Sequence, residues 1–448
     1  MENVRKILPF TKPCMGSVVI PGSKSISNRA LLLSCFSQNQ VMLRGVLKSQ
    51  DVELMIKALR KVGVSLDVNW NSNVLKIKGC KGLAPIKNQE IEVGNAGTVA
   101  RFLTAWLATQ KNSNYLFDGS DEMRKRPIGE LLKFFQSGGV TVNYKKKQGF
   151  FPFQTETQEF KPSNWTIDAT KSSQMLTALM MIAPLHGKSK TILFPDGTVS
   201  KPFLNISSQM IKEFSGDDDF ACEFEEEKIK IRAQYKRTSS FVYNVEPDAT
   251  AASYFLTLPQ IVGGSCEVHG IWDEMLQGDS GYSKILRTMG AEVTLGSKGL
   301  LSSFVSNLAG GYYNFNDISD TFLTLAAVSP LLKSPLLLSG IAHTRLQETD
   351  RVRAMAQELK KLGQEVQETN DSLKIVPDLN KLKRAAKSLI EIETYQDHRV
   401  AMSFGILGSF DLFGTGKSWL GIRNSQCCSK TFPDFFEVLE GVRLQSLQ

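Results

Sequence analysis

Two hydrophobic rhythms alternate along the chain. Apolar residues first recur every three or four positions, as on one face of a helix. The residues that follow alternate apolar and polar, as in a half-buried strand. "MIKALRKVGVSLDV", "LLKFFQSGGVTVNY", "MIKEFSGDDDFACEF", "ILRTMGAEVTL" and "ELKKLGQEVQE" share this order, and "FFEVLEGVRLQSL" repeats it last. In each, the helical stretch ends at a glycine: Gly63, Gly139, Gly216, Gly290, Gly363 and Gly441. A glycine just past a helix supplies the left-handed conformation that stops it. The intervals are 73–78 residues, and a fixed period marks internal duplication. The first repeat predicts a strand at 17–20, a helix over 24–36, a strand at 41–46, a helix over 51–62 and strands at 64–69 and 73–78. The second follows the same order from 90 to 154. The plan is an α/β fold of six β-α-β-α-β-β repeats. A repeat of about 75 residues has a thin core of its own, so the six are expected to cluster as two groups of three.

Composition narrows the class. The 448 residues are 42% hydrophobic and 22% charged, as in an ordinary globular protein of two or three domains. The opening "MENVRKILPFTK" lacks the apolar core of a signal peptide, and no apolar run reaches the roughly 18 residues of a membrane helix. A cytoplasmic protein without membrane association is expected. Seven cysteines form no CxxC pair and four histidines show no metal-ligand spacing, so no metal site is expected. The net charge of +8 is spread thinly, without the interleaved aromatic and basic residues of a single-strand binder. The charge permits nucleic acid, and an enzyme with small anionic substrates fits it equally well; no nucleic-acid partner is expected.

Candidate chemistry gathers where helices are predicted to start. Free backbone N–H groups and the positive dipole end make such places anion sites. "PGSKSISNR" places Ser25 and Arg29 four residues apart on one helical face, with Ile26, Ala30 and Leu33 on the buried one. "GNAGTVARFL" is a glycine turn that opens a helix. "EMRKRPIGELL" sets Arg126 before a proline, and "ATKSSQML" brings Ser172, Ser173 and Gln174 to another start. "ETDR" puts Arg351 in the first turn of a helix over 350–362, "YQDHR" puts Arg399 in a similar place, and "SKTFPDFF" sets Lys430 before the last helix. Each alone reads equally well as a cap or a solvated charge. As a set at equivalent places in the repeats, they point to one anion-binding cleft. "FGTGKSW" is not a phosphate loop, because the leading glycine that motif requires is Asp411.

These segments resemble the 5-enolpyruvylshikimate-3-phosphate synthase family of enolpyruvyl transferases over nearly the whole chain. "PGSKSISNRALLL", "GNAGT", "KRPIGELL", "SSQMLTALMMIAPL", "VEPDATAASYFL", "LQGDSGYSKILRTMGAEV", "ETDRVRAMAQELKKLG", "DHRVAM" and "KTFPDFF" fall in the family's order. The resemblance implies the two-domain enolpyruvyl-transferase fold, an inside-out α/β barrel with three repeats per domain. Residues 1–21 and 245–448 would form one domain, and 22–244 the other. It also implies a monomer that moves the enolpyruvyl group of phosphoenolpyruvate to the 5-hydroxyl of shikimate 3-phosphate, with no cofactor. Phosphoenolpyruvate would be held by Lys24, Gly97, Arg126, Gln174, Arg351, Arg399 and Lys430. Shikimate 3-phosphate would meet Ser25, Arg29, Ser172, Ser173, Ser200 and Asp320. Asp320 would take the hydroxyl proton, and Glu348 would exchange a proton with the enol carbon beside Lys24 and Lys430. Alone, Asp320 reads as a helix cap.

Several positions depart from the family pattern. Gln347 stands where a lysine would help hold the shikimate phosphate, His343 where asparagine is common, Phe203 for a tyrosine and Phe102 for a proline. A protonated His343 would offset the lost cation. The alternative is an enolpyruvyl transferase acting on a different cyclic alcohol.

Overall fold

A computed structural model describes residues 4–170, 172–198 and 201–448. The chain divides into a split unit, Met1–Pro21 with Pro247–Gln448, and a continuous unit, Gly22–Glu246.

One sheet plan recurs among the described residues. In the continuous unit, Phe241–Asn244 runs parallel to Gln40–Arg44, which pairs antiparallel with Val74–Lys78, and that strand pairs with Leu66–Asn69. The series Asn88–Glu92, Ser113–Asp118, Phe153–Thr157 and Thr141–Tyr144 repeats the order. So does Trp165–Thr166, Ser189–Leu193, Lys228–Arg232 and Ala221–Phe224. The split unit has it twice more, in Cys14–Val19, Gly264–His269, Gly299–Ser303, Glu292–Leu295 and in Gly311–Asn314, Leu336–Ser339, Ser372–Val376, Glu365–Glu368. Its remaining sheet is three-stranded, with Leu420–Arg423 between Ile390–Ile392 and Val4–Lys6.

Two sequence expectations need correction. The strand expected at 17–20 spans Cys14–Val19 and pairs with Gly264–His269 rather than within the first repeat, where Phe241–Asn244 takes the parallel place. The closing segment does not turn from helix to strand at Gly441. That glycine lies inside the helix Phe435–Gln445, and Val4–Lys6 takes the antiparallel place beside Leu420–Arg423. A helix interior tolerates glycine at a cost of about 1 kcal/mol. The other five period glycines have φ between +57° and +98°, the left-handed conformation that ends their helices.

Within each unit the most apolar helices lie inside and the sheets outside. Lys24–Phe36, Gly97–Leu107 and Ser173–Ile182 are buried almost all round and pack together, as "RALLL", "FLTAWL" and "MLTALMMI" require. Amphipathic helices such as Gln50–Lys61 bury one face only. In the split unit Ala249–Val262, Phe322–Val328 and His398–Gly408 form the inner helices. Side chains tie the starts of these helices together. Asn28 Nδ2 donates to Thr98 Oγ1 at 2.8 Å, and the Ser253 and Thr324 hydroxyls lie 2.8 Å apart. The N-terminal halves of two buried helices therefore meet in each unit. The "FGTGKSW" loop keeps its amides for itself, because the Asp411 carboxylate accepts from Thr415 and Gly416 N–H at 3.1 and 3.0 Å.

Gly22 sets the entry into the first inner helix. A Cβ there would sit 1.9 Å from the Gly45 carbonyl oxygen and 3.3 Å from the Leu47 amide nitrogen. Gly22→Ala is expected to destabilise the protein by about 2 kcal/mol, within the range for overpacking, read as a lower denaturant midpoint.

Candidate active site

In the continuous unit, the helix Lys24–Phe36 is capped by Ser23, whose hydroxyl accepts from Ile26 N–H at 3.4 Å. This places Lys24 in the first turn, where its Nζ lies 3.3 Å from Asp51 Oδ2. Asp51 is 3% exposed, so this is a largely desolvated pair. Lys24 and Ser25 remain half-buried at the mouth of the helix, whereas Arg29 does not share their exposure.

Arg29 is 1% exposed and faces neutral oxygens. Its Nε donates to Ser207 Oγ at 2.9 Å, Nη1 to Ser25 O at 2.9 Å and Nη2 to Phe203 O at 3.4 Å. Burial lowers its pKa to about 9, with the Tyr243 phenol acting in the other direction. It stays charged at neutral pH. Two departures seen separately in the sequence meet here: the Phe102 and Phe203 rings lie 5.2 and 5.8 Å from the Arg29 guanidinium carbon. Cation–π contacts of this kind are worth about 2 kcal/mol when desolvated. Ser25 and Arg29 thus do not stand side by side at the surface; the guanidinium folds back onto the Ser25 carbonyl.

Gly97, Arg126 and Gln174 do come together. A Cβ on Gly97 would lie 2.8 Å from Arg126 Nη2 and 3.1 Å from Gln174 Oε1. Arg126 Nη1 is buried with no hydrogen-bond partner, a donor without an acceptor. Ser172 caps the helix Ser173–Ile182 and accepts from Gln174 N–H at 3.3 Å, which sets Gln174 in the first turn with Ser173 buried beside it. Ser200 lies outside the described residues.

The split unit holds a tighter cluster. Arg345 clamps Asp350 with two bonds of 2.8 and 2.7 Å, and Asp350 caps the helix Arg351–Lys361 through Arg353 N–H at 3.0 Å. Arg351 therefore starts the helix and points inward, 1% exposed. Its Nε meets Asp397 Oδ2 at 2.7 Å, Nη1 meets Asp320 Oδ1 at 2.7 Å, and Nη2 meets Glu348 Oε2 at 3.0 Å. Nη1 also donates to Gln347 Oε1. Arg399 Nη2 reaches the other Asp320 oxygen at 2.7 Å, and Lys430 Nζ reaches the other Glu348 oxygen at 2.9 Å. Burial works against the charge on Arg351, but Asp397, Glu348 and Asp320 outweigh it and hold its pKa above the ordinary guanidinium value.

Three cations and three carboxylates thus neutralise one another. An incoming anion that binds Arg351, Arg399 and Lys430 takes donors from Asp320 and Glu348. The exchange is chemically useful, because it frees two carboxylates where an anion has just docked. His343 Nε2 shares a hydrogen bond with Ser319 Oγ at 2.8 Å; burial pushes its pKa below the ordinary imidazole value, with the Asp320 and Asp371 carboxylates acting in the other direction.

Sequence reasoning missed Asp51, Asp397, Asp279 and Asp248. Asp397 and Asp248 look like N-caps and are N-caps, accepting from Arg399 N–H at 2.8 Å and Thr250 N–H at 2.9 Å. Their second role, facing buried arginines, has no signature in sequence. Asp279 is buried, and its pKa is pushed up to about 7 by burial first and then by the Asp320 carboxylate. Its Oδ1 lacks a hydrogen-bond partner, a condition that costs about 1–3 kcal/mol.

A family model described as EPSP synthase (3-phosphoshikimate 1-carboxyvinyltransferase) matches residues 10–439. A 3-phosphoshikimate 1-carboxyvinyltransferase of Opitutus terrae is 42% identical, covering 100% of this chain and 99% of its own. One of Nostoc punctiforme is 35% identical over 96% of this chain and 97% of its own. Among solved structures, an EPSP synthase from Acinetobacter baumannii superimposes with a TM-score of 0.77 at 22% identity, covering 98% of each chain. The enolpyruvyl transferase NikO from Streptomyces tendae gives 0.72 at 13% identity, covering 98% of this chain and 97% of its own. These two likenesses show the enolpyruvyl-transferase fold.

Asp397 is the deepest of the counter-charges, at 0% exposure. Asp397→Ala is expected to cost about 3 kcal/mol, the lower end for breaking a buried pair, because Asp320 and Glu348 remain. Asp397→Asn keeps the cap on Arg399 and should cost less than half of that, both measured by denaturant unfolding.

Proposed function

The chain belongs to the EPSP synthase family, and on that premise we propose how its residues carry out the family's reaction. The enolpyruvyl group of phosphoenolpyruvate passes to the 5-hydroxyl of shikimate 3-phosphate, and inorganic phosphate leaves. Protonation of the enol carbon C3 makes C2 electrophilic. The hydroxyl oxygen attacks C2 and loses its proton to a base. The tetrahedral intermediate then gives back a proton from C3 and expels phosphate. The reaction belongs to the shikimate pathway to aromatic amino acids.

Both substrates are polyanions, so the protein must supply positive charge and proton-moving groups in a dry place. In the split unit, Arg351, Arg399 and Lys430 bind phosphoenolpyruvate, Asp320 takes the hydroxyl proton, and Glu348 exchanges a proton with C3. In the continuous unit, Lys24, Arg126, Gln174 and the open face of Gly97 bind phosphoenolpyruvate, while Ser25, Arg29, Ser172, Ser173 and Ser200 serve shikimate 3-phosphate. The observation that carries this reading is the pairing of both proton-moving carboxylates with anion-binding cations, Asp320 with Arg351 and Arg399, and Glu348 with Arg351 and Lys430. One chain supplies every assigned residue, in keeping with a monomer. The cysteines are free thiols, in keeping with a reducing cytoplasm.

The relatives' names support shikimate 3-phosphate as acceptor, and no finding favours a changed acceptor. Gln347 has an internal use as an acceptor for Arg351.

Phosphate release from phosphoenolpyruvate plus shikimate 3-phosphate tests the assignment. The natural protein should turn over, and Gln347→Lys should lower the KM for shikimate 3-phosphate by about tenfold or more, the worth of one charge-assisted bond. No turnover by either form at millimolar substrate would sink the assignment; turnover only by Gln347→Lys would mean a different acceptor. Gly97→Ala should raise the KM for phosphoenolpyruvate about tenfold or more while that for shikimate 3-phosphate stays within about twofold, since the new methyl occupies space against Arg126 and Gln174.

A further inference from the structure

Arg399 and Asp279 present a matched pair of unmet needs. Arg399 is 6% exposed and Asp279 is 4% exposed. Arg399 Nε is a buried donor with no acceptor, and Asp279 Oδ1 is a buried acceptor with no donor. Asp279 favours the charge on Arg399, though less than Asp320, the Tyr254 phenol and Asp248 do. Asp279 is fixed from its other side: Gln277 Nε2 lies 3.3 Å from Asp279 Oδ2 and also bonds Thr250 Oγ1 at 2.8 Å and Asp248 Oδ1 at 3.2 Å. Gln277 is itself 3% exposed. Arg399, by contrast, holds Asp320 through Nη2 at 2.7 Å.

Buried polar groups are almost always paired in a native protein. A donor and an acceptor left open in the same dry cluster mark a second arrangement of the same side chains. We propose that Asp279 is a positioning residue for Arg399: when an anionic substrate takes the Arg399 Nη groups, Nε pairs with Asp279 Oδ1 and Asp320 is released as the base. This rests on the assignment of phosphoenolpyruvate to Arg399 made above. In the resting protein Arg399 neutralises Asp320, and in the loaded protein Asp279 supplies the replacement counter-charge. The arginine then never sits buried without an anion. Asp279 needs no contact with substrate; it makes the exchange on Arg399 affordable.

The test compares Asp279→Leu and Asp279→Asn with the natural protein, by steady-state kinetics and by calorimetric binding of phosphoenolpyruvate to the full chain in the absence of shikimate 3-phosphate. Asp279→Leu should raise the KM and Kd for phosphoenolpyruvate about tenfold or more and lower kcat about tenfold, with the KM for shikimate 3-phosphate within about twofold. Asp279→Asn keeps an acceptor without the charge and should fall between the two. A purely packing role would disturb both substrates alike. Equal changes in both KM values, or wild-type phosphoenolpyruvate binding in Asp279→Leu, would overturn the proposal. Should Asp279→Leu fail to fold, an Asp279→Asn variant whose two KM values change equally would overturn it as well. Natural protein that binds phosphoenolpyruvate without turnover would overturn the functional reading alone, and the Kd values of the variants would still decide on Asp279. Natural protein that neither binds nor turns over removes both.

Discussion

A guanidinium taken out of water must find its counter-charges inside the protein, and Arg351 finds three. Moving such a cation from water into the interior costs several kcal/mol even after relaxation. Asp397, Asp320 and Glu348 meet that cost together, at 2.7, 2.7 and 3.0 Å. Much of the split unit is arranged to make this possible. Arg345 clamps Asp350 so that the helix begins at Arg351, and Asp397 caps the neighbouring inner helix while facing the same guanidinium. The positive charge proposed above to meet the anionic substrates is therefore held as ion pairs in the resting protein. Substrate affinity is then a difference: what the anion gains from the cations, less what Asp320 and Glu348 lose. The loss is productive, since a carboxylate released from two arginines is a stronger base than one held by them.

The inside-out architecture follows from a simple constraint on helices. A helix apolar on every side has to be surrounded, and a sheet can cover one side of it while exposing its own polar face. Lys24–Phe36, Gly97–Leu107 and Ser173–Ile182 are such helices, and the sheet strands that cover them alternate buried and exposed residues. Burying a helix also buries its ends, unless those ends are given something to bind. Ser23, Ser172, Asp248 and Asp397 satisfy part of that need as caps, and the residues next to them, Lys24, Gln174 and Arg399, occupy the first turns. The anion-binding character of both units is in this sense a consequence of how their cores are filled.

How far the chain could be read in advance depended on whether each feature is local. Glycine period, helix faces and strand alternation are local, and five of the period glycines adopt the left-handed conformation the pattern requires. Gly441 failed because one glycine inside a helix looks the same in sequence as one that ends it. The partner of Cys14–Val19 was illegible for a different reason: Gly264–His269 is about 250 residues away, and pairing at that distance leaves no trace in either strand. The cationic residues were legible because the family motifs carry them. The acids that hold those cations were not, because a capping aspartate and an ion-pairing aspartate occupy the same sequence position; Asp397 is both.

Gln347 shows how a substitution that looks like a loss can serve the resting state. A lysine at this position would bring a fourth cation to the three that Asp320, Asp397 and Glu348 already balance. It also has no acceptor to offer. Glutamine adds no charge, and its Oε1 accepts from Arg351 Nη1 beside Asp320. Because Gln347 is neutral, an incoming anion can take that donor from it without leaving a buried charge unpaired, which is not true of Asp320 or Glu348. The chain thus carries a neutral, displaceable partner for one of its two most buried described arginines. Phe102 and Phe203 are a parallel case, two aromatic faces that stabilise Arg29 where it has no carboxylate beside it. In both places a buried arginine is steadied by a neutral group instead of a further charge, and the positive potential that anionic substrates require is left less neutralised than a carboxylate would leave it.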